Sequence, residues 1–215
     1  MNNRIFIVEG ATSSGKDTLL SALEREGNLV ARGIPSQYPL ENFRLTTKGR
    51  QIMGETELSF KKMIVVSAQE LKTLVDKYYT TTIEQHNFVV KTDFEKKIIF
   101  MNRSFISMKA HLQMLVNLRS SEQDVVILLE QYLFKIGKQI DKFFNHVNGI
   151  ILMGAPILGV KISTLKGYET LESEEIKKIV NEMVKKANLR FLTIDANKMT
   201  VHEELKKVKK FSGIA

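Results

Sequence analysis

The chain has 215 residues, a hydrophobic share of 43%, no cysteine and a formal net charge of +8. That length and balance suit one domain with its own core, and the lack of cysteine excludes a disulfide framework and a thiolate metal site. No apolar run nears the ~18 residues of a membrane-crossing helix. The first residues, MNNRIFIVEG, hold too short an apolar stretch for a secretory signal, so a cytoplasmic location is expected.

Arg4 to Glu9 is a short apolar run that ends at a glycine, the pattern of a fully buried parallel strand. Helical spacing follows from Thr18 to Glu24 and should stop near Gly27, before a second strand over Asn28 to Arg32. Residues 33–54 hold two prolines and are expected to be mostly loop. Ser59 to Tyr79 carries apolar residues at helical intervals, Lys97 to Met101 is another buried strand, and a helix runs on through Leu118. A further helix is predicted over Val125 to Phe144, a strand over Gly149 to Met153, a charged amphipathic helix over Glu172 to Lys186, and a last strand over Arg190 to Asp195. The final helix, Thr200 to Lys210, has Thr200 and Glu203 in capping positions.

Buried strands alternating with helices predict an α/β domain with a parallel, roughly five-stranded sheet. Ligands in such sheets lie beyond the carboxyl ends of the strands, so Glu9, Arg32, Asn102 and Gly154 are expected to converge on one cleft.

The chemistry concentrates in Gly10-Ala11-Thr12-Ser13-Ser14-Gly15-Lys16-Asp17-Thr18, placed after a strand and before a helix. In a phosphate loop of this spacing, backbone N–H groups cradle the phosphates, the lysine reaches the β- and γ-phosphates, and a following hydroxyl holds Mg²⁺. The segment therefore predicts binding of ATP with Mg²⁺. Asp17 stands where the pattern has Ser or Thr, so the metal can fall to Asp17 or to Thr18, with Thr18 favoured as a helix-start hydroxyl. The four histidines lack ligand spacing, and no zinc site is expected. Glu169, Glu172, Glu174 and Glu175 read as a solvated helix start. The basic run Lys206-Lys207-Val208-Lys209-Lys210 reads as a solvated helix end. With no basic stripe interleaved with aromatics, a nucleic-acid partner is not expected.

From end to end the chain resembles the thymidylate kinase and deoxynucleoside kinase group of P-loop kinases. Ile7-Val8-Glu9-Gly10 matches that group's lead-in to the loop. Arg32 with Pro35 is similar to its Arg-Glu-Pro segment, and Met101-Asn102-Arg103-Ser104 to its Asp-Arg or Glu-Arg-Ser segment. Arg190 to Ala196 resembles its terminal strand. The resemblance implies phosphoryl transfer to a nucleotide or nucleoside, a deoxynucleoside monophosphate such as dTMP above all. Arg32, Arg44 and Asn102 would then lie at the acceptor, and Arg103 would bridge donor and acceptor. Lys161 and Lys166 would close a lid over about 157–172, and Glu9 would orient metal-bound water or act as base. Members of the group are commonly dimers, and the long helices here offer faces on which two copies can pair. Three departures stand out: Asn102 replaces an acidic residue, Glu70 lies near a missing helix arginine, and the lid carries lysines instead of arginines. A regulatory nucleotide-binding protein, or a kinase of another small molecule, is the competing expectation.

Overall fold

A computed structural model describes residues 3–11, 14–31, 63–92, 94, 98–154 and 168–214. Its strands are β1 (Arg4–Glu9), β2 (Leu29–Ala31), β3 (Ile98–Asn102), β4 (Val147–Met153) and β5 (Phe191–Ile194). They form one parallel sheet in the order β2-β3-β1-β4-β5, with β1 at its centre. The helices are α1 (Lys16–Arg25), α2 (Ala68–Lys91), α3 (Phe105–Leu118), α4 (Gln123–Phe144), α5 (Tyr168–Ala187) and α6 (Val201–Ser212). No helix among the described residues is long and apolar enough to cross a membrane.

Strand side chains alternate between faces, and here both faces are apolar. Ile5, Ile7, Ile99, Met101, Ile150 and Leu152 point into a large core shared with α2, α3, α4 and α5. Phe6, Val8, Phe100, Ile151 and Met153 point the other way, into a smaller core closed by α1 and α6. Helices on both faces explain why the strands read as continuous apolar runs instead of alternating ones. The parity continues past the apolar residues. Glu9, in step with Ile5 and Ile7, is delivered toward α3, whereas Asn102, in step with Phe100, is delivered toward α1.

Element boundaries follow local chemistry. Thr200 and Glu203 form a complete capping box at the start of α6, as their spacing predicts, and Gly213 (φ 68) ends that helix in the left-handed conformation. The helix expected over Ser59 to Tyr79 is interrupted instead. Residues 63–65 are helical, and Ser67 then caps α2 by accepting from the Glu70 N–H. α2 continues twelve residues past Tyr79 to Lys91, unmarked by the apolar period because its inward face turns polar: Thr82, Gln85 and His86 are buried there. Likewise α5 begins at Tyr168, four residues before the expected start.

His86 is enclosed by aromatic rings, stacked on Phe105 with centroids 4.1 Å apart and edge-on to Phe143 at 3.9 Å. Its Nδ1 lies 2.5 Å from the Thr82 carbonyl oxygen. Burial pushes its pKa down to about 3 from an ordinary 6.5, and the Thr82 carbonyl opposes this only in part. Between those two values the unfolded chain binds a proton that the folded chain refuses. Stability should therefore fall as pH drops through that window, by up to ~1.4 kcal/mol per pH unit. Melting temperatures of the wild type and His86→Leu at pH 7 and pH 5 check this. The wild type is expected to lose more on acidification, and equal losses would show that His86 protonates in place without penalty.

Candidate nucleotide-binding site

At the carboxyl end of β1 the chain turns through Gly10 (φ 151) and re-enters helix at Gly15 (φ 88), the residue before α1. A Cβ on Gly10 would sit 2.8 Å from the Met153 Cβ and 2.9 Å from the Met153 carbonyl oxygen, so the loop lies hard against the end of β4. Gly15 brings no side chain to cap α1, which leaves the first N–H groups of the helix for an anion, helped by the helix dipole. Lys16 opens α1 with only 5% of its surface exposed. Its Nζ donates to the Ala11 carbonyl oxygen at 2.6 Å and to Ser14 Oγ at 3.3 Å, so the ammonium lies along the inside of the loop. Burial, reinforced by the Arg103 charge, lowers its pKa to about 7, against the partial support of Glu172, Asp17 and Glu9.

Beside the loop lies a buried polar cluster assembled by β1, the β3–α3 junction, α2 and α5. Glu9 is fully buried and accepts hydrogen bonds from Ser104 Oγ and Ser107 Oγ, one on each oxygen, both at 2.5 Å. Burial raises its pKa, while the two hydroxyls, Arg103 and Lys16 pull it back. The Ser104 hydroxyl also accepts from the Ile106 N–H at 3.1 Å, capping α3, so one side chain starts the helix and ties it to β1. Between Asn102 and Ser104, Arg103 adopts φ 62, a left-handed conformation uncommon outside glycine, and its N–H donates to the Val8 carbonyl oxygen at 3.0 Å. Its guanidinium is thereby directed at Glu172 Oε1, 2.7 Å away, and at Ser107 Oγ, 3.4 Å away. Glu172 is fully buried, and the same oxygen lies 2.9 Å from His111 Nε2. The Tyr78 hydroxyl meets His111 Nδ1 at 3.1 Å. On the other side of the sheet, Asn102 Nδ2 donates to Asp17 Oδ1 at 3.5 Å.

The structure thus brings together Glu9, Gly10, Ser14, Gly15, Lys16, Asp17, Thr18, Asn102 and Arg103. Thr12, Ser13, Arg32, Arg44, Lys161 and Lys166 lie outside the described residues, as does most of the expected lid. Two expectations are corrected. Glu172 is no part of a solvated helix start, since it is enclosed and paired with Arg103 and His111. His111 and Tyr78, which the sequence pattern left unassigned, belong to the same cluster. A signal was available: Glu172 continues the buried stripe Ile176, Ile179, Val180 and Met183, and Tyr78 continues Leu71 and Val75. A polar residue on an apolar stripe is the informative exception. Glu9 is also more enclosed than a base open to substrate would be, with both oxygens satisfied by hydroxyls.

Two solved structures of the NadR protein superpose on this arrangement, each with a TM-score of 0.60. One is in complex with NR, at 16% identity, and the other with NAD and AMP-PNP, at 15% identity. The five-stranded parallel α/β fold, with the glycine-bearing loop after its central strand, is thus shared with those structures. Each match covers 99% of this chain and 50% of the NadR chain, so the present chain spans about half the length of those structures. No family model and no curated protein sequence matches. At this identity the similarity is one of fold, and the likeness to the thymidylate kinase group rests on the motifs alone.

The tight approach of Gly10 is testable. Gly10→Ala would force both a strained φ and a clash with β4 backbone, together costing ~1–3 kcal/mol. A lowered melting temperature and loss of ATP binding in calorimetry are expected; unchanged binding would show that the loop can move away from Met153.

Proposed function

We propose that this chain transfers a phosphoryl group from ATP to a hydroxyl of a nucleoside. The observation that carries the reading is the charge balance beside the loop. Arg103, the cation that the resemblance puts between donor and acceptor, is already matched by the buried carboxylate of Glu172, with Glu9 close behind. A phosphomonoester would bring nearly two further negative charges toward these carboxylates. A ribose hydroxyl brings no such charge and would find a donor in the partly exposed Arg103, which the enclosed Glu172 and its partner His111 hold in place. The NadR structure in complex with NR supports a nucleoside in the acceptor position. A monophosphate such as dTMP is the second reading, motivated by Arg32 and Arg44.

Phosphoryl transfer asks mainly for positioning and charge neutralisation. Lys16 and the N–H groups of the loop would hold the β- and γ-phosphates. Arg103, 29% exposed and held in place by its strained backbone and by Glu172, would reach the transferring group. Glu9 would act as a positioning residue through Ser104 and Ser107. Among the described residues no three His, Asp or Glu side chains gather into a metal cage. Mg²⁺ needs none, since one or two carboxylates with phosphates and waters suffice. The exposed Asp17 and Thr18 at the start of α1 fit that requirement. There the ion would neutralise phosphate charge.

An ADP-release assay with Mg-ATP against nucleosides and their monophosphates, with Lys16→Ala as control, tests the reading. A nucleoside signal that needs Lys16 is expected. A monophosphate signal would move the assignment to the second reading, and silence with ATP binding intact would favour a regulatory nucleotide binder. Glu172→Gln should raise the KM of the acceptor by about tenfold or more while leaving the ATP Kd within about twofold.

The lowered pKa of Lys16 adds a pH prediction. In the free protein this ammonium is about half protonated near pH 7, and bound phosphates would favour its charged form. ATP binding at pH 8 should therefore take up a proton. Affinity should weaken as pH rises above 7, by up to about tenfold per unit. Calorimetry in buffers of different ionisation enthalpy reads the uptake directly; none would place Lys16 fully charged before binding.

A further inference from the structure

The contact between Asp17 and Asn102 joins two departures from the pattern of the phosphate loop and its neighbouring strand. Asp17 stands where the loop pattern has a hydroxyl that holds the metal. Asn102, the last residue of β3, stands where the resembled group has a carboxylate. Strand parity turns Asn102 to the α1 side, where its amide nitrogen donates to Asp17 Oδ1 at 3.5 Å. Asn102 is only 7% exposed, and its Oδ1 is buried without a hydrogen-bond partner. An orphaned buried acceptor is costly and asks for an explanation. The Asp17 side chain, in contrast, is exposed at the helix start, beside the expected phosphates.

We infer that the two residues have exchanged roles: Asp17 binds the divalent cation that accompanies the triphosphate, and Asn102 orients it from the strand end. The amide nitrogen fixes the direction of the carboxylate at the mouth of the loop. The orphaned Asn102 oxygen is then an acceptor for a water of the cation's hydration shell, which Mg²⁺ keeps in part. Asn102 is thus a positioning residue, and the site retains one carboxylate, moved from β3 to α1. This deepens the proposal that the loop binds ATP and rests on it.

The test measures binding, separately from turnover. The affinity of the full chain for AMP-PNP is measured by calorimetry in EDTA and in Mg²⁺, and Mn²⁺ binding to the nucleotide complex by electron paramagnetic resonance. Wild type is expected to bind at least about tenfold tighter with Mg²⁺. Asp17→Ser and the isosteric Asp17→Asn should lose that enhancement and the bound-Mn²⁺ signal, with EDTA affinity unchanged or improved. Asp17→Ser combined with Asn102→Asp, which returns the carboxylate to the strand, should restore both. The inference is overturned if Asp17→Ser and Asp17→Asn keep the enhancement, or if the double variant binds Mn²⁺ no better than Asp17→Ser. Wild type that binds no AMP-PNP in either condition would overturn the ATP reading as well.

Discussion

The carboxylate of Glu9 is surrounded by protein, and its two oxygens are satisfied by two serine hydroxyls from the start of α3. An isolated carboxylate in such a place would be costly. Supplying both donors from one short segment makes that burial a constraint on geometry, since α3 must start directly above the end of β1. Several features depend on it. Ser104 caps α3 with the same hydroxyl that reaches Glu9. Arg103, just before that cap, takes a left-handed turn, and its guanidinium meets Glu172 and Ser107.

From there the order spreads outward through paired polar groups. Arg103 reaches Glu172 on α5, Glu172 reaches His111 on α3, and His111 reaches Tyr78 on α2. Three helices on one face of the sheet are thus joined by a single hydrogen-bonded chain. Such chains are rigid when complete, and removing one member strands the others in low dielectric. On the opposite face the corresponding contact is the smaller one between Asn102 and Asp17, with far less protein around the carboxylate.

Much of this was legible in the residues. The central strands announced themselves because burial on both faces leaves Ile5–Val8, Ile98–Met101 and Ile150–Met153 without a polar interruption, and the loop because glycine spacing, lysine and context agree. Thr200 and Glu203 gave the start of α6 from their chemistry alone. What could not be read is instructive. α2 faded from view after Tyr79 because Thr82, Gln85 and His86 occupy its buried face, and hydropathy cannot tell a buried histidine from a solvated one. Glu172 was hidden for the same reason, among acidic neighbours of which Glu174 does face water. Its partners are 69 and 61 residues away in the chain, a distance across which no local pattern carries information.

The alternation of β3 has a consequence for how this protein can change. Asn102 and Arg103 are adjacent, yet they serve opposite sides of the sheet, one against α1 and one against α5. A single residue inserted or deleted within β3 would exchange those sides, turning an arginine toward Asp17 and leaving Glu172 with His111 alone. Substitutions at either position alter one contact at a time, but a change of length in this strand would dismantle both together. Descendants of this chain should therefore accept conservative apolar exchanges along β3 long before they accept a change in its length.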